Sequence, residues 1–292
     1  MNQALSMRFV ELAEAGRSAL VVYLPVGFPD VDRSRAAMVA AVEAGADVIE
    51  IGIPYTDPVM DGPVVQDAAD HALAHGGTVT AALECARAVA AAGGVPVLMS
   101  YWNPLLAHGV EELAREMAQA GAAGAILPDL PPEAAGLWHA AAAEHGLASI
   151  HLVAPSTTAE RVGAIVAATS GFVYAASTMG VTGARASVSS VAAEVVQRVR
   201  AATDLPVCLG LGVSSGEQAQ EVARFADGVI VGSAVVSALA ADSGIDLGSA
   251  PPADPAAPSH VEAPAPSGKS DSAPTFPRMT ALVAELSAAL ND

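Results

Sequence analysis

Eight short apolar runs, at residues 20–24, 48–51, 95–99, 125–127, 149–153, 172–175, 207–209 and 229–231, punctuate this 292-residue chain, with helical patterns filling the intervals. Runs this short and apolar throughout read as strands buried on both faces. The helical stretches lie at 32–43, 63–75 with 78–92, 110–120, 133–144, 159–168, 188–202 and 216–225. Several open on a capping residue, such as Asp30, Thr78 and Ser215, and several close on Gly45, Gly93, Gly121 or Gly146, which supply a left-handed stop. Strand and helix alternating eight times fit a closed parallel (β/α)8 barrel, the TIM barrel, in a single domain. The competing open, doubly wound sheet announces itself by a glycine fingerprint after its first strand. Here that turn is Pro25-Val26-Gly27-Phe28-Pro29, which has none. An extra helix at 6–15 precedes the first strand and is expected to cover the lower mouth of the barrel.

The remaining organisation follows from composition. Residues 242–277 are rich in Pro, Ala and Ser and show no apolar period, so they cannot bury enough surface to offset the entropy of ordering. They read as a disordered insertion. Periodicity returns at 279–290 and marks the last barrel helix, so the barrel domain comprises 1–241 and 278–292. A formal charge of −18 argues against a nucleic acid or an anionic membrane as partner, because either would repel the chain. No apolar run reaches the roughly 18 residues of a membrane span, and residues 1–9 do not resemble a signal peptide, so a cytoplasmic location is expected. Cys85 and Cys208 have no metal-like spacing and are expected to be buried, reduced thiols. His71, His75, His145 and His151 receive no role, and no metal site is expected.

In a barrel of this kind the chemistry gathers at the C-terminal ends of the strands. Glu50 ends the second run and Asp61 lies in the loop after it; Asp129 follows the fourth, and Tyr174 lies near the end of the sixth. Glu50 is either a structural carboxylate satisfied by backbone N–H groups or a general acid and base. To donate a proton near pH 7, a glutamate of pKa about 4.3 must rise by roughly 2 pH units, about 3 kcal/mol of disfavoured ionisation, which burial among Ile and Val can supply. Asp61, in a Met-Asp-Gly-Pro turn, is either a turn former or the ionised member of an acid/base pair, and it is expected to be more exposed. Glycine-rich loops at 180–185, 210–214 and 232–233 either make tight turns or, with the helix that starts at Ser233, offer N–H groups to a phosphate.

The stretch IEIGIPYTDPVMDGPVVQ at 49–66 resembles the signature of the tryptophan synthase alpha subunit family. LPDLPPE at 127–133, GVTGAR at 180–185, GLGVS at 210–214 and VGSAVV at 231–236 continue the resemblance. It implies a lyase of tryptophan biosynthesis that cleaves indole-3-glycerol phosphate to indole and glyceraldehyde 3-phosphate by a retro-aldol step, with no metal or organic cofactor in this chain. Glu50 would protonate the indole ring carbon and take up the proton of the side-chain hydroxyl, while Asp61 would hold the indole N–H. Thr182 would close over the substrate. Gly183, Gly212, Gly232 and Ser233 match the phosphate-binding positions, and Tyr23, Tyr101, Leu127, Leu152, Tyr174 and Leu211 would line the indole pocket. Tyr55 and Thr56 stand where Phe and Ser are frequent, and Tyr23 and Leu211 where some relatives have Phe. The resemblance further implies an alpha2-beta2 complex, a heterotetramer in which indole passes to a beta subunit carrying pyridoxal phosphate. Tyr55, Asp57, Pro58, Asn103, Pro104 and Pro131 would form the docking surface. Two other readings stay open from the residues alone: another barrel enzyme acting on a sugar phosphate, and a silent subunit that only activates a partner.

Overall fold

The structure is a computed structural model that describes residues 3–176, 190–247 and 274–291. Thr182 and Gly183, and the whole GVTGAR loop, lie outside the described residues, as does the stretch 248–273.

Nine parallel strand segments form one sheet: β1 (Ala19–Pro25), β2 (Val48–Gly52), β3 (Val95–Met99), β4 (Gly124–Ile126), β5 (Ala148–Ile150), β6 (Leu152–Val153), β7 (Val173–Ala176), β8 (Val207–Gly210) and β9 (Gly228–Val231). Their order is β5-β4-β3-β2-β1-β9-β8-β7-β6. β5 and β6 are the two halves of the single fifth run, interrupted at His151, so the ends of the order meet and an eight-stranded barrel closes. The register pairs Tyr23 with Glu50, Glu50 with Val97, and Gly210 with Ile230.

The period-2 alternation of a strand divides the apolar residues between two cores. Leu20, Val22 and Leu24 of β1 and Ile49 and Ile51 of β2 point outward into the core shared with the surrounding helices. Val21, Val48, Val97, Ile126, Ile150 and Cys208 fill the barrel interior. Helix α1 (Gln3–Glu14) sends Leu5, Phe9 and Leu12, one face of a helix, into that interior cluster, where the rings of Phe9 and Phe172 lie 5.7 Å apart. The expected cover is therefore present. Beside it Asp47, 2% exposed, accepts from the Leu20 N–H at 2.9 Å and pairs with Arg8 and Arg17.

The outer helices are α2 (Val31–Glu43), α3 (Pro63–Ala74), α4 (Val79–Ala91), α5 (Trp102–His108), α6 (Val110–Gln119), α7 (Gly136–Glu144), α8 (Ala159–Ala168), α9 (Ser190–Arg200), α10 (Gly216–Ala223), α11 (Ser233–Ser243) and α12 (Pro277–Ala289). The side chains of Asp30, Thr78 and Ser215 cap α2, α4 and α10 as anticipated. Helix α5 was not anticipated. It is only seven residues long, below the length at which a 3.6-residue period can be seen, and its Trp102 N–H donates to the Asp129 carboxylate at 3.0 Å. No described helix is long and apolar enough to cross a membrane. Cys85 and Cys208 are buried free thiols.

Helix α12 belongs to the main core, in which Met279, Val283 and Leu286 are fully buried. Residues 242–247 and 274–277, which composition assigns to the insertion, lie among the described residues. Asp242 and Ser243 finish α11, Pro277 opens α12, and the Asp242 carboxylate accepts from the N–H groups of Arg278 and Met279 at 3.0 Å each. Local composition marked these residues as linker, whereas a cap reaching across 36 residues makes them structural. Truncating Leu286 to Ala should cost about 3 kcal/mol in urea unfolding if α12 is part of the barrel's cooperative core. A loss below about 1 kcal/mol would mean that the helix is peripheral.

Candidate active site

At the C-terminal rim of the barrel a cavity of about 210 Å³ opens between the ends of β1, β2, β7, β8 and β9. Glu50 and Asp61 both line it. So do Tyr23, Tyr174, Leu211, Gly212, Gly232 and Ser233 among the expected residues. Met60, Val65, Met99 and Ile230 complete its apolar wall and were not singled out from the sequence. Alternation along β3 and β9 contains the signal for two of them: Met99 shares the inward face with Val95 and Val97, and Ile230 the one with Gly228 and Gly232. Leu127 and Leu152 do not line the cavity. Leu127 points outward into the strand–helix core, one residue out of phase with inward-facing Ile126, and Leu152, paired in register with Tyr174, packs against the interior cluster. Tyr101 reaches the site through Asp61 and is not itself part of the cavity wall.

Two tyrosines shape the cavity from opposite sides. The Tyr23 ring lies across Gly52 and the Tyr174 ring across Gly210; a Cβ at Gly210 would sit 2.7 Å from the Tyr174 hydroxyl, and one at Gly52 would collide with that of Tyr23. Only glycine at these two strand ends leaves room for the rings. Burial pushes both phenols well above their ordinary pKa, with Glu50 and Asp61 adding to the effect.

Glu50 is 3% exposed, and its Oε2 is buried without a hydrogen-bond partner among the described residues. Desolvation, reinforced by the charge of Asp61, lifts its pKa from 4.5 to about 8, so the group is protonated at neutral pH. Asp61 is half-buried and, as expected, more exposed than Glu50. Desolvation raises its pKa to about 6 against the opposing pull of the Tyr101 hydroxyl, which donates to Oδ2 at 3.0 Å. That hydroxyl in turn accepts from the Met60 N–H at 2.9 Å, fixing the turn that carries Asp61. The Tyr101 ring stacks on Tyr55 at 5.1 Å, and the Tyr55 hydroxyl accepts from Asn103 Nδ2 at 2.8 Å. Near pH 7 the pair is one neutral acid and one carboxylate.

The opposite end of the cavity is built from backbone. Helix α11 begins at Ser233 behind Gly232, with no side-chain cap, so the N–H groups of its first turn are free to receive an anion. Helix α10 differs, since Ser215 caps it. Asp57, Asn103 and Pro131 are exposed, and Tyr55, Pro58 and Pro104 are half-buried. Val59, at 78% exposure, and Leu106, at 46%, extend this surface and had drawn no attention in the sequence.

A parallel barrel whose rim joins a neutral buried acid, a nearby carboxylate and an uncapped helix start is an enzyme of the phosphate-binding (β/α)8 class, equipped for proton transfer. A family model described as tryptophan synthase alpha chain matches residues 9–247. The tryptophan synthase alpha chain of Mycobacterium marinum is 56% identical over 223 residues, 76% of this chain and 83% of that one. Its counterpart from Streptomyces avermitilis is 54% identical over 239 residues, 82% and 86% of the two chains. A solved structure of Mycobacterium tuberculosis tryptophan synthase superposes with a TM-score of 0.83 at 46% identity, covering 98% of both chains. The chain belongs to the tryptophan synthase alpha family, and it is a lyase that acts on indole-3-glycerol phosphate in tryptophan biosynthesis.

Replacing Tyr101 with Phe removes the bond that favours ionised Asp61, so the Asp61 pKa should climb above about 6. A carbon-13 titration of labelled aspartate reads this directly, and an unchanged midpoint would show that the bond does not tune the group. Glu50 has a raised folded-state pKa. Its contribution is therefore fully present below pH 4.5 and is lost as pH rises through about 8. Glu50→Gln should accordingly match the native chain in stability at pH 4 and exceed it at pH 9, by at most about 5 kcal/mol. Equal stability at pH 9 would contradict the raised pKa.

Proposed function

We propose that Glu50 carries the proton in the cleavage. As a neutral acid it delivers a proton to C3 of the indole ring, which becomes an iminium-like tautomer. The resulting Glu50 carboxylate removes the proton from the hydroxyl on the carbon attached to C3. That hydroxyl becomes the aldehyde of glyceraldehyde 3-phosphate, the carbon–carbon bond breaks, and its electrons restore the aromatic ring of indole. The net movement is one proton from oxygen to carbon, with Glu50 returned to its starting state. The observation that carries this reading is the burial of Glu50 in the cavity wall with an unpaired Oε2, a setting that raises its pKa to about 8.

Asp61 accepts the indole N–H and offsets the positive charge that grows on the ring nitrogen as C3 is protonated. Its proximity to Glu50 assists, since an ionised Asp61 keeps Glu50 neutral until the substrate arrives. Tyr23, Tyr174 and Leu211 hold the ring. The phosphate sits on the first-turn N–H groups of α11 at Gly232 and Ser233, with Gly212 beside them and Gly183 contributed by the sixth loop, whose Thr182 closes the site.

The same reading gives the chain a beta-subunit partner in an alpha2-beta2 complex, to which indole passes and which holds pyridoxal phosphate; the location is cytoplasmic. The support is the exposed apolar surface of Val59 and Leu106 set among Tyr55, Asp57, Pro58, Asn103, Pro104 and Pro131, next to the turn that carries Asp61. A partner seated there would press on the Tyr55–Tyr101–Asp61 contacts and order the site.

Purified chain should release indole from indole-3-glycerol phosphate, faster with a beta subunit present, and Glu50→Gln should lose at least about 100-fold. A Gln variant with near-native turnover would remove Glu50 from the mechanism. The pH profile of kcat/KM should be a bell with limbs near 6, where Asp61 loses its charge, and near 8, where Glu50 loses its proton. A flat profile between pH 5 and 9 would rule out this division of roles.

A further inference from the structure

The loop that follows β8 is tied to a helix far along the chain. Gly216, the first residue of α10, donates its N–H to Glu285 Oε1 of α12 at 2.7 Å, across 69 residues. The other side-chain bonds of this loop are local. Gln218 Oε1 accepts from the Ser214 N–H at 2.9 Å and from the Ser214 hydroxyl at 3.2 Å, and Ser215 Oγ accepts from the Gln218 N–H at 3.4 Å. Among the described residues, Glu285 therefore makes the one side-chain hydrogen bond that reaches this loop from outside its own segment. The fit is close, since a Cβ on Gly216 would lie 3.1 Å from Ala289 Cβ and 3.3 Å from Glu285 Oε1. Met279, Val283 and Leu286 fix the base from which Glu285 reaches out.

Four residues before Gly216 stands Gly212, in the cavity wall with φ of +82°. A carboxylate at the start of α10 also meets the positive end of that helix's dipole. The two helix starts that follow β8 and β9 thus differ in kind: α10 is filled by the chain's own Glu285 and Ser215, whereas α11 has no cap and is left for the ligand.

We infer that Glu285 is a positioning residue for the Gly212 loop, and through it for the phosphate group of the substrate. This inference rests on the phosphate role proposed above for Gly212. Glu285 touches neither the substrate nor the acid/base pair. Its loss lets the loop shift at the phosphate end while Glu50 and Asp61, carried by other elements, keep their geometry. The signature is a change in phosphate affinity and KM with kcat preserved.

The test uses the full-length chain, with inorganic phosphate as the binding probe in calorimetry and indole-3-glycerol phosphate in turnover. Glu285→Ala should weaken phosphate binding and raise KM by a similar factor, about 2- to 10-fold, the worth of one hydrogen bond. Its kcat should stay within about 2-fold, and binding of indole, which has no phosphate, should be unchanged. Glu285→Gln keeps an acceptor at Oε1 and should restore most of the affinity. A Gln variant as impaired as the Ala variant, or an equal loss of indole binding, would overturn the proposal. Gly212→Ala separates the two inferences. If that variant loses phosphate affinity while Glu285→Ala does not, the positioning role fails alone; if neither loses it, the phosphate role of Gly212 fails as well.

Discussion

A carboxyl group buried without a full set of partners is costly, and the rim of this barrel is arranged around one such group. Glu50 occupies an inward position of β2, where the strand's own alternation would otherwise place another Val or Ile. Its surroundings keep it neutral instead of pairing it with a cation, so the cost appears as a raised pKa. Much of the neighbourhood serves that condition. The outward residues Ile49 and Ile51 lock the strand into the helix-facing core, and Tyr23 and Tyr174 lean over glycines to narrow the cavity. Asp61 stands close enough for its charge to hold the proton on Glu50. An arginine beside Glu50 would make a more comfortable buried pair and a poorer acid.

The opposite end of the cavity meets a different electrostatic demand. A chain with a net charge of −18 has to hold a phosphorylated substrate, yet no Lys or Arg is found among the described residues that line the cavity. In the proposed arrangement backbone N–H groups supply the positive potential, which acts locally and leaves the long-range field of the protein acidic. Recognition would then rest on local geometry: Gly232 has no side chain to block the first turn of α11, and Gly212 takes a backbone conformation that other residues resist.

Much of this was readable in the sequence because it depends on local rules. The strand runs, the caps at Asp30, Thr78 and Ser215, and the cover helix expected at 6–15 all follow from spacing within a few residues. Glu50 was conspicuous because a charge within a β-branched run has no local excuse. What escaped depends on contacts between distant segments. The raised pKa of Asp61 comes from burial, which outweighs the hydrogen bond that Tyr101 donates from 40 residues away. Leu127 was expected in the pocket from the resemblance alone, whereas the alternation along its strand turns it into the strand–helix core. The structural role of Asp242 could not be seen without the partners it caps in α12.

The contact between Asp242 and the start of α12 makes the two chain ends that flank 248–273 near neighbours. A flexible connection between them would only have to close a loop whose entropic cost grows with the logarithm of its length, about 0.6 kcal/mol for each doubling. Such a junction is only weakly sensitive to how many residues it carries. A lineage can lengthen, shorten or replace this stretch, and a protein engineer can graft a foreign domain into it, while α11 and α12 continue to meet on the same barrel.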